Sequence, residues 1–262
     1  RIPLFEDKYV VCISSQVGCA LGCDFCMTGK LGFRRNLATW EMVDQVLQVR
    51  AEADRPVRGV VFMGMGEPLL NYTEAMRAAR ILCHPAGLAI AAKAITFSTA
   101  GWVPGIRRYV LEEQPYRLAF SLTSAIPAKR AQLMPIERTW PLPELVQAIR
   151  EYATSRRERA MLAYVIIRDF NTAREDAEAL AQLFRGVPIK LDLIEVNDPT
   201  GRYLAPLPDE LRRFRDELQI LRAPIARRYS GGKEIGAACG TLTASQYGGR
   251  LIELIGDAPP AR

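Results

Sequence analysis

The chain has 262 residues, 49% of them hydrophobic and 24% charged, and a net charge of +6. That composition belongs to an ordinary globular protein large enough for one full α/β domain or two small ones, and it excludes disordered and fibrous classes. No apolar run reaches the ~18 residues of a membrane-crossing helix, and the opening "RIPLFEDKYVV" has neither a secretory signal's apolar core nor an initiator methionine, so it reads as a fragment or a processed chain.

In chain order, apolar β-rich segments at 10–16, 59–65, 94–100, 117–123, 160–167 and 189–196 alternate with helical patterns. The helices are expected at 39–53, 71–84, 103–113, 141–157, 172–185 and 208–221. Thr39, Asn71 and Pro208-Asp209 supply start signals. Near-continuous apolar strands separated by helices imply a parallel sheet covered by helices. Six such units fall short of the eight in a closed barrel, so the expected fold is α/β, a partial, open TIM-like barrel; a doubly wound sheet is the alternative. Residues 1–223 would form the barrel. Residues 224–262, with Gly-rich and strand-like pieces, would form a tail packed back on it and carrying Cys239.

Ligands of parallel sheets sit at the carboxyl ends of the strands. The cysteine-rich stretch follows the first strand, Gly66 and Glu67 follow the second, Ser98 ends the third, Ser121 lies in the fourth and Asn197 follows the sixth. Residues distant in sequence would converge on one mouth.

Arginine supplies nearly all the positive charge. Arg34-Arg35, Arg107-Arg108, Arg156-Arg157 and Arg227-Arg228 are candidate phosphate contacts, although arginine pairs on a solvated face would look the same.

Six cysteines in a chain of this length do not make a secreted disulfide framework, and they point to a metal or redox site in a reducing compartment, the cytoplasm. Three of them, Cys19, Cys23 and Cys26, crowd into "GCALGCDFCMTGK" with C-x3-C-x2-C spacing. Structural zinc takes four closed ligands; no second pair is visible, and the sole histidine, His84, is a poor fourth. An iron–sulfur cubane held by three thiolates would keep one iron open. A structural zinc loop or an electron-transfer cluster are the other readings. Cys83 reads as a core residue.

The three-cysteine spacing, with Phe25 before the last thiol, closely resembles the radical S-adenosylmethionine superfamily. Further segments, "CISSQVGCALGCDFCMTGKLGFRRNL", "GVVFMGMGEPLLNY", "ITFSTAGWVPGIRR", "RLAFSLTSA", "LMPIERTWPL" and "IGAACGTL", together resemble the adenine methyltransferases of 23S ribosomal RNA and tRNA. The resemblance implies a [4Fe-4S] cluster on Cys19, Cys23 and Cys26, and S-adenosylmethionine held by Gly66, Glu67, Ser98, Ser121, Leu122, Thr123 and Asn197. It implies two S-adenosylmethionine molecules per turnover, methylation of Cys239 by the first, and release of the methylated adenine by Cys12 with formation of a disulfide. It also implies a monomer fed by a flavodoxin or ferredoxin. Carbon 2 of adenine is the expected target, with carbon 8, as in the antibiotic-resistance branch, or a non-RNA substrate as alternatives. Two departures stand out. The family's Ser-Leu-His is "SLT" here, ending in Thr123, and the family's N-terminal RNA-binding domain and glutamate base would lie before residue 1 and are expected to be absent.

Overall fold

The computed structural model describes residues 2–5, 7–228 and 238–242. The chain begins with two antiparallel strands, β1 (Ile2–Phe5) and β2 (Lys8–Ile13). A small hairpin of β3 (Gln16–Gly18) and β4 (Phe33–Asn36) encloses the helical turn α1 (Met27–Lys30). Regular alternation follows: α2 (Thr39–Ala51), β5 (Val57–Phe62), α3 (Tyr72–Cys83), β6 (Ile95–Thr99), α4 (Val103–Leu111) and β7 (Arg117–Ser121). After α5 (Pro127–Leu133) and α6 (Leu142–Arg156) come β8 (Ala160–Ile166), α7 (Arg174–Leu183), β9 (Ile189–Glu195), α8 (Pro208–Glu217) and β10 (Ile225–Arg227).

The main sheet runs β1-β2-β5-β6-β7-β8-β9-β10, and every pairing after β1–β2 is parallel. Its two ends are not bonded to each other, which makes it a half-barrel and not a closed one. The expected partial α/β barrel is the observed fold.

The pleat sorts the residues. Val11 and Ile13, Phe97, Phe120, Leu162 and Tyr164, and Leu191 and Leu193 are buried in the core beneath the helices. Their neighbours Cys12, Ser98, Ser121 and Ala163 therefore face the concave side. Phe62 and Phe97 stack with ring centroids 4.2 Å apart, joining adjacent strands. The longer helices offer an apolar stripe in return; α3 does so with Ala75, Met76, Ala79 and Leu82.

The elements that the sequence pattern did not reveal are short. Hairpin β3–β4, α1 and α5 have too few residues to establish a period. Ile225–Arg227, placed by the pattern in the tail, pairs with β9 as the last strand among the described residues, so the barrel extends at least to Arg227. Asn71 precedes α3 as expected but does not cap it: its amide donates to Ser15 O at 2.8 Å and Leu37 O at 2.7 Å, bonding the hairpin to the barrel. Among the described residues no helix is long and apolar enough to cross a membrane.

Candidate active site

The carboxyl ends of the strands open onto one cavity, and Cys19, Cys23, Cys26, Gly66, Glu67, Ser98, Ser121 and Asn197 all line it. Cys239 and Gly240 line it as well. A separate apolar groove between α2 and α3, formed around Trp40, Val43, Leu47 and Ile81, holds none of these groups.

The hairpin carries the cysteine loop. Gly18 sits at φ +75° in van der Waals overlap range of the opposite strand: a Cβ there would lie 1.8 Å from Gly32 O, so only glycine lets the hairpin close. Cys19 N–H then donates to Gly32 O at 3.1 Å and Cys26 N–H to Cys23 O at 3.0 Å, turning the three thiols toward the cavity.

Gly66, at φ +99°, packs on Gln16, whose side chain would meet an added Cβ at 2.5–2.8 Å. That approach lets Glu67 N–H donate to Gln16 Oε1 at 2.9 Å. The Glu67 carboxylate is buried and accepts Leu69 N–H at 3.1 Å and Ala100 N–H at 2.8 Å. Burial pushes its pKa up to about 7, against those hydrogen bonds. The hydroxyls of Ser98 and Ser121 lie 3.3 Å apart on adjacent strands. Asn197 Nδ2 donates to Glu195 O at 3.2 Å.

Leu122 and Thr123 differ from the expectation. Both are fully buried and neither lines the cavity. Thr123 stands at φ +62°, rare for a β-branched residue, and its buried Oγ1 has no hydrogen-bond partner.

Cys239 is brought in by the tail. Met27 N–H donates to Gly240 O at 2.8 Å and Thr28 Oγ1 to Leu242 O at 2.9 Å, fastening 238–242 onto α1. Cys12 is open to the concave side of the sheet yet closely surrounded by protein. Burial pushes its thiol up to about 12, and the nearby Cys239 adds to the rise, while the Met63 N–H and the Arg228 guanidinium oppose it. The cysteines are free thiols.

Of the arginine pairs, most members are tied to local partners. Arg35 grips Glu41 with two 2.8 Å bonds, Arg108 pairs with Glu112 at 2.8 Å and stacks on Tyr72, and Arg107 reaches Glu151 at 3.5 Å. Arg228 is different: it lines the cavity, with its guanidinium 3.0 Å from Met63 Sδ.

Residues 13–184 match the radical SAM superfamily. Over the whole chain it is 72% identical to a probable RNA methyltransferase of Myxococcus xanthus (strain DK1622), of which it covers 73%. It is 44% identical to the dual-specificity RNA methyltransferase RlmN of Syntrophobacter fumaroxidans, with 92% of this chain and 71% of that protein covered. The chain belongs to this radical SAM RNA methyltransferase family. The crystal structure of a radical SAM methyltransferase from Sphaerobacter thermophilus superposes with a TM-score of 0.88 at 40% identity, covering 92% of this chain and 72% of that one.

Enzymes of this superfamily use a [4Fe-4S] cluster and S-adenosylmethionine. The donor set here suits the cluster. Burial raises the Cys19 thiol to about 11; burial, then repulsion from Cys26 and Cys19, raises that of Cys23 further, so three thiolates together need a cationic centre to neutralise them. Among the described residues no three His, Cys, Asp or Glu side chains converge tightly enough for a single ion. A cubane does not ask for that, because each thiolate binds a different iron.

Sequence reasoning missed the buried polar frame behind the cavity. Arg130, fully buried, donates to Ala100 O at 2.8 Å and Leu122 O at 3.2 Å and pairs with Glu137. Gln16, Glu67, Ala100, Arg130 and Glu137 thus form one hydrogen-bonded chain under three strand ends. Gln16 and Glu137 lie inside the motif segments and could have signalled it; Arg130, in the polar run "AKRAQ", could not.

Proposed function

We propose that this enzyme methylates carbon 2 of an adenine in 23S ribosomal RNA and tRNA, using Cys239 as methyl carrier and Cys12 as the resolving thiol. The observation that carries the proposal is the placement of Cys239 in the wall of the cavity lined by Cys19, Cys23 and Cys26, near enough to Cys12 for the two sulfurs to influence each other's charge. The dual-specificity name of the 44%-identical relative supports two RNA substrates.

Cys19, Cys23 and Cys26 would hold the cluster, and Gly66, Glu67, Ser98, Ser121 and Asn197 would seat S-adenosylmethionine. When bound, these cofactors supply the methyl group and a one-electron cleavage of the sulfonium. Carbon 2 lies between two ring nitrogens and is electrophilic, so simple displacement by the ring on a sulfonium is disfavoured. A carbon carried on Cys239 and activated by hydrogen-atom loss can add to it. The adenine must leave its stack to reach a cavity at the strand ends, and Arg228 offers a cation to the nucleotide there. Addition leaves one unpaired electron and the carbon 2 hydrogen on the ring; the aromatic adduct is restored when that electron passes to the cluster that Cys19, Cys23 and Cys26 would hold and the proton passes to a base. Release then falls to Cys12: its thiolate attacks the Cys239 sulfur, the S–S bond forms as the S–C bond breaks, and the electron pair stays with the carbon, which takes a proton to become the methyl group. Residues 238–242 act as the arm that delivers Cys239.

A flavodoxin- or ferredoxin-type protein would supply electrons to the monomeric enzyme in the reducing cytoplasm, where the free thiols persist. The test is incubation of the anaerobically reconstituted protein with S-adenosylmethionine, reductant and rRNA or tRNA, followed by nucleoside mass spectrometry. 2-Methyladenosine is expected. Only 8-methyladenosine, or no modified base with a cluster-loaded protein, would sink the assignment.

A further inference from the structure

The residue between two of the cluster cysteines, Asp24, faces away from the hairpin and into the loop that follows β9. Its carboxylate receives the Tyr203 hydroxyl on Oδ2 and the Arg202 guanidinium at 2.9 Å on Oδ1 and 2.8 Å on Oδ2. Arg202 also lies over the Tyr203 ring at 5.2 Å. The loop is tied to itself from the other end: Asp198 accepts Thr200 N–H at 2.9 Å and Tyr203 N–H at 3.1 Å. Asn197 immediately precedes that turn. Beneath the polar contacts, Tyr203 packs on the same small apolar cluster as Cys23, Phe25 and Val196. The Asp24 backbone N–H is held separately, by Leu133 O at 2.9 Å, so its side chain is free to serve the β9–α8 loop.

We propose that Tyr203 and Arg202 are positioning residues that, through Asp24, lock the Cys23–Cys26 turn to the segment carrying Asn197, and so fix the distance between two walls of the S-adenosylmethionine site. This rests on the assignment of the cluster to the three cysteines and of S-adenosylmethionine to the cavity. None of the three residues need touch cofactor or RNA. A carboxylate that accepts a phenol and a guanidinium together is a directional clasp, stronger than a neutral hydrogen bond. The ligand loop keeps its own backbone bonds, so loss of the clasp separates the walls without releasing the cysteines.

The test uses the anaerobically reconstituted enzyme and the variants Y203F, D24N and D24N/Y203F. Iron and sulfide content and the EPR signal of the reduced cluster without S-adenosylmethionine are expected to match the parent. The Kd for S-adenosylmethionine, measured by equilibrium dialysis with labelled ligand, is expected to rise about tenfold in each single variant, as for loss of one charge-assisted hydrogen bond. The double variant should resemble the single ones and not reach a hundredfold, because both changes break the same clasp. R202Q, altering an exposed side chain, should weaken binding to a smaller degree with the fold intact. Unchanged Kd values in cluster-loaded variants would overturn the clasp while leaving the enzyme assignment standing. Loss of iron in Y203F would overturn it too, by making the residue a support of the cluster itself. A parent enzyme that takes up iron and sulfide but binds no S-adenosylmethionine would overturn the reading of the cavity and the clasp with it.

Discussion

Met27 donates its backbone N–H to Gly240 O at 2.8 Å, so the residue after the last of the three proposed cluster ligands holds the residue after the proposed methyl carrier. The next residue repeats the link from its side chain, Thr28 Oγ1 to Leu242 O at 2.9 Å, and Thr28 is buried. Cys239 is thereby referenced directly to the cysteine loop. Thr28→Val keeps the shape and removes the side-chain bond. A lost neutral hydrogen bond of about 1 kcal/mol corresponds to roughly a fivefold drop in the docked population of the arm. Methyl incorporation on the Cys239 peptide, followed by mass spectrometry, should slow by about that factor at unchanged iron content. An unaltered rate would show that the arm is held elsewhere.

Cys12 is a poor nucleophile as the free protein presents it. Burial and the adjacent Cys239 push its pKa up to about 12, so at neutral pH it is almost wholly a thiol. Once the Cys239 sulfur is a thioether it bears no charge, and its share of the rise disappears while burial remains. Resolution of the protein–RNA adduct should therefore speed up about tenfold per pH unit between pH 7 and 9, following the thiolate fraction. Adduct decay on denaturing gels measures this. Cys12→Ala should accumulate the adduct at every pH, and a clean turnover by that variant would remove Cys12 from the reaction.

How much of this could be read from the residues alone varies with the kind of signal. The strand of 160–166 and the helix of 142–156 emerge within a residue or two of the expected bounds, because a buried parallel strand and an amphipathic helix each repeat over several turns of pattern. The strand-end rule gathers Cys19, Glu67, Ser98 and Asn197 into one mouth, and all four line the cavity. The hairpin β3–β4 was invisible because its closure depends on a contact between Gly18 and Gly32, which no local period encodes. The family's Ser-Leu-His pattern places Thr123 at the site, but in this chain it has a positive φ and its side chain is buried in the protein. Arg130 and Tyr203 escape a local reading because their partners are seven and 179 residues away, and a polar pairing is recognisable only once its partner is known.

With Glu67 seating the ammonium group of S-adenosylmethionine, as proposed, cofactor binding becomes pH-dependent. Its carboxyl has a pKa of about 7, raised chiefly by burial, in the free protein. A bound ammonium group favours the ionised form, so affinity should be level above pH 7 and fall with decreasing pH below it, by up to tenfold per unit. Unfolding of the cofactor-free protein should show the opposite sign. The folded state binds this proton more tightly than the unfolded chain, so Glu67's contribution favours folding at pH 4.5 and is lost as pH rises through 7. Glu67→Gln should bind weakly at pH 8 and show neither trend. Equilibrium dialysis across pH 6–8.5 tests the first, and denaturant titrations test the second. A carboxylate that serves only the Leu69 and Ala100 N–H groups would give the stability effect without the binding effect.

The Arg130–Glu137 pair carries the largest structural risk in the frame of the site. Both side chains are buried, and the guanidinium also closes two strand-end carbonyls, Ala100 O and Leu122 O. Removing one partner leaves an uncompensated charge where water cannot reach it, whereas removing both exchanges the pair for apolar contact. Glu137→Ala should therefore cost about 3–5 kcal/mol of unfolding free energy. The double change Arg130→Met with Glu137→Leu should cost less than the sum of the single changes, although the two carbonyls lose their donor. Denaturant midpoints of the cofactor-free protein decide the stability half. The binding half follows from the hydrogen-bond chain: Ala100 gives its N–H to Glu67 and its carbonyl to Arg130, so a variant that frees this peptide should weaken S-adenosylmethionine binding as well as folding. A double variant that regains stability but not cofactor affinity is the expected result, since packing can replace the buried charge while nothing apolar can hold the Ala100 peptide in place.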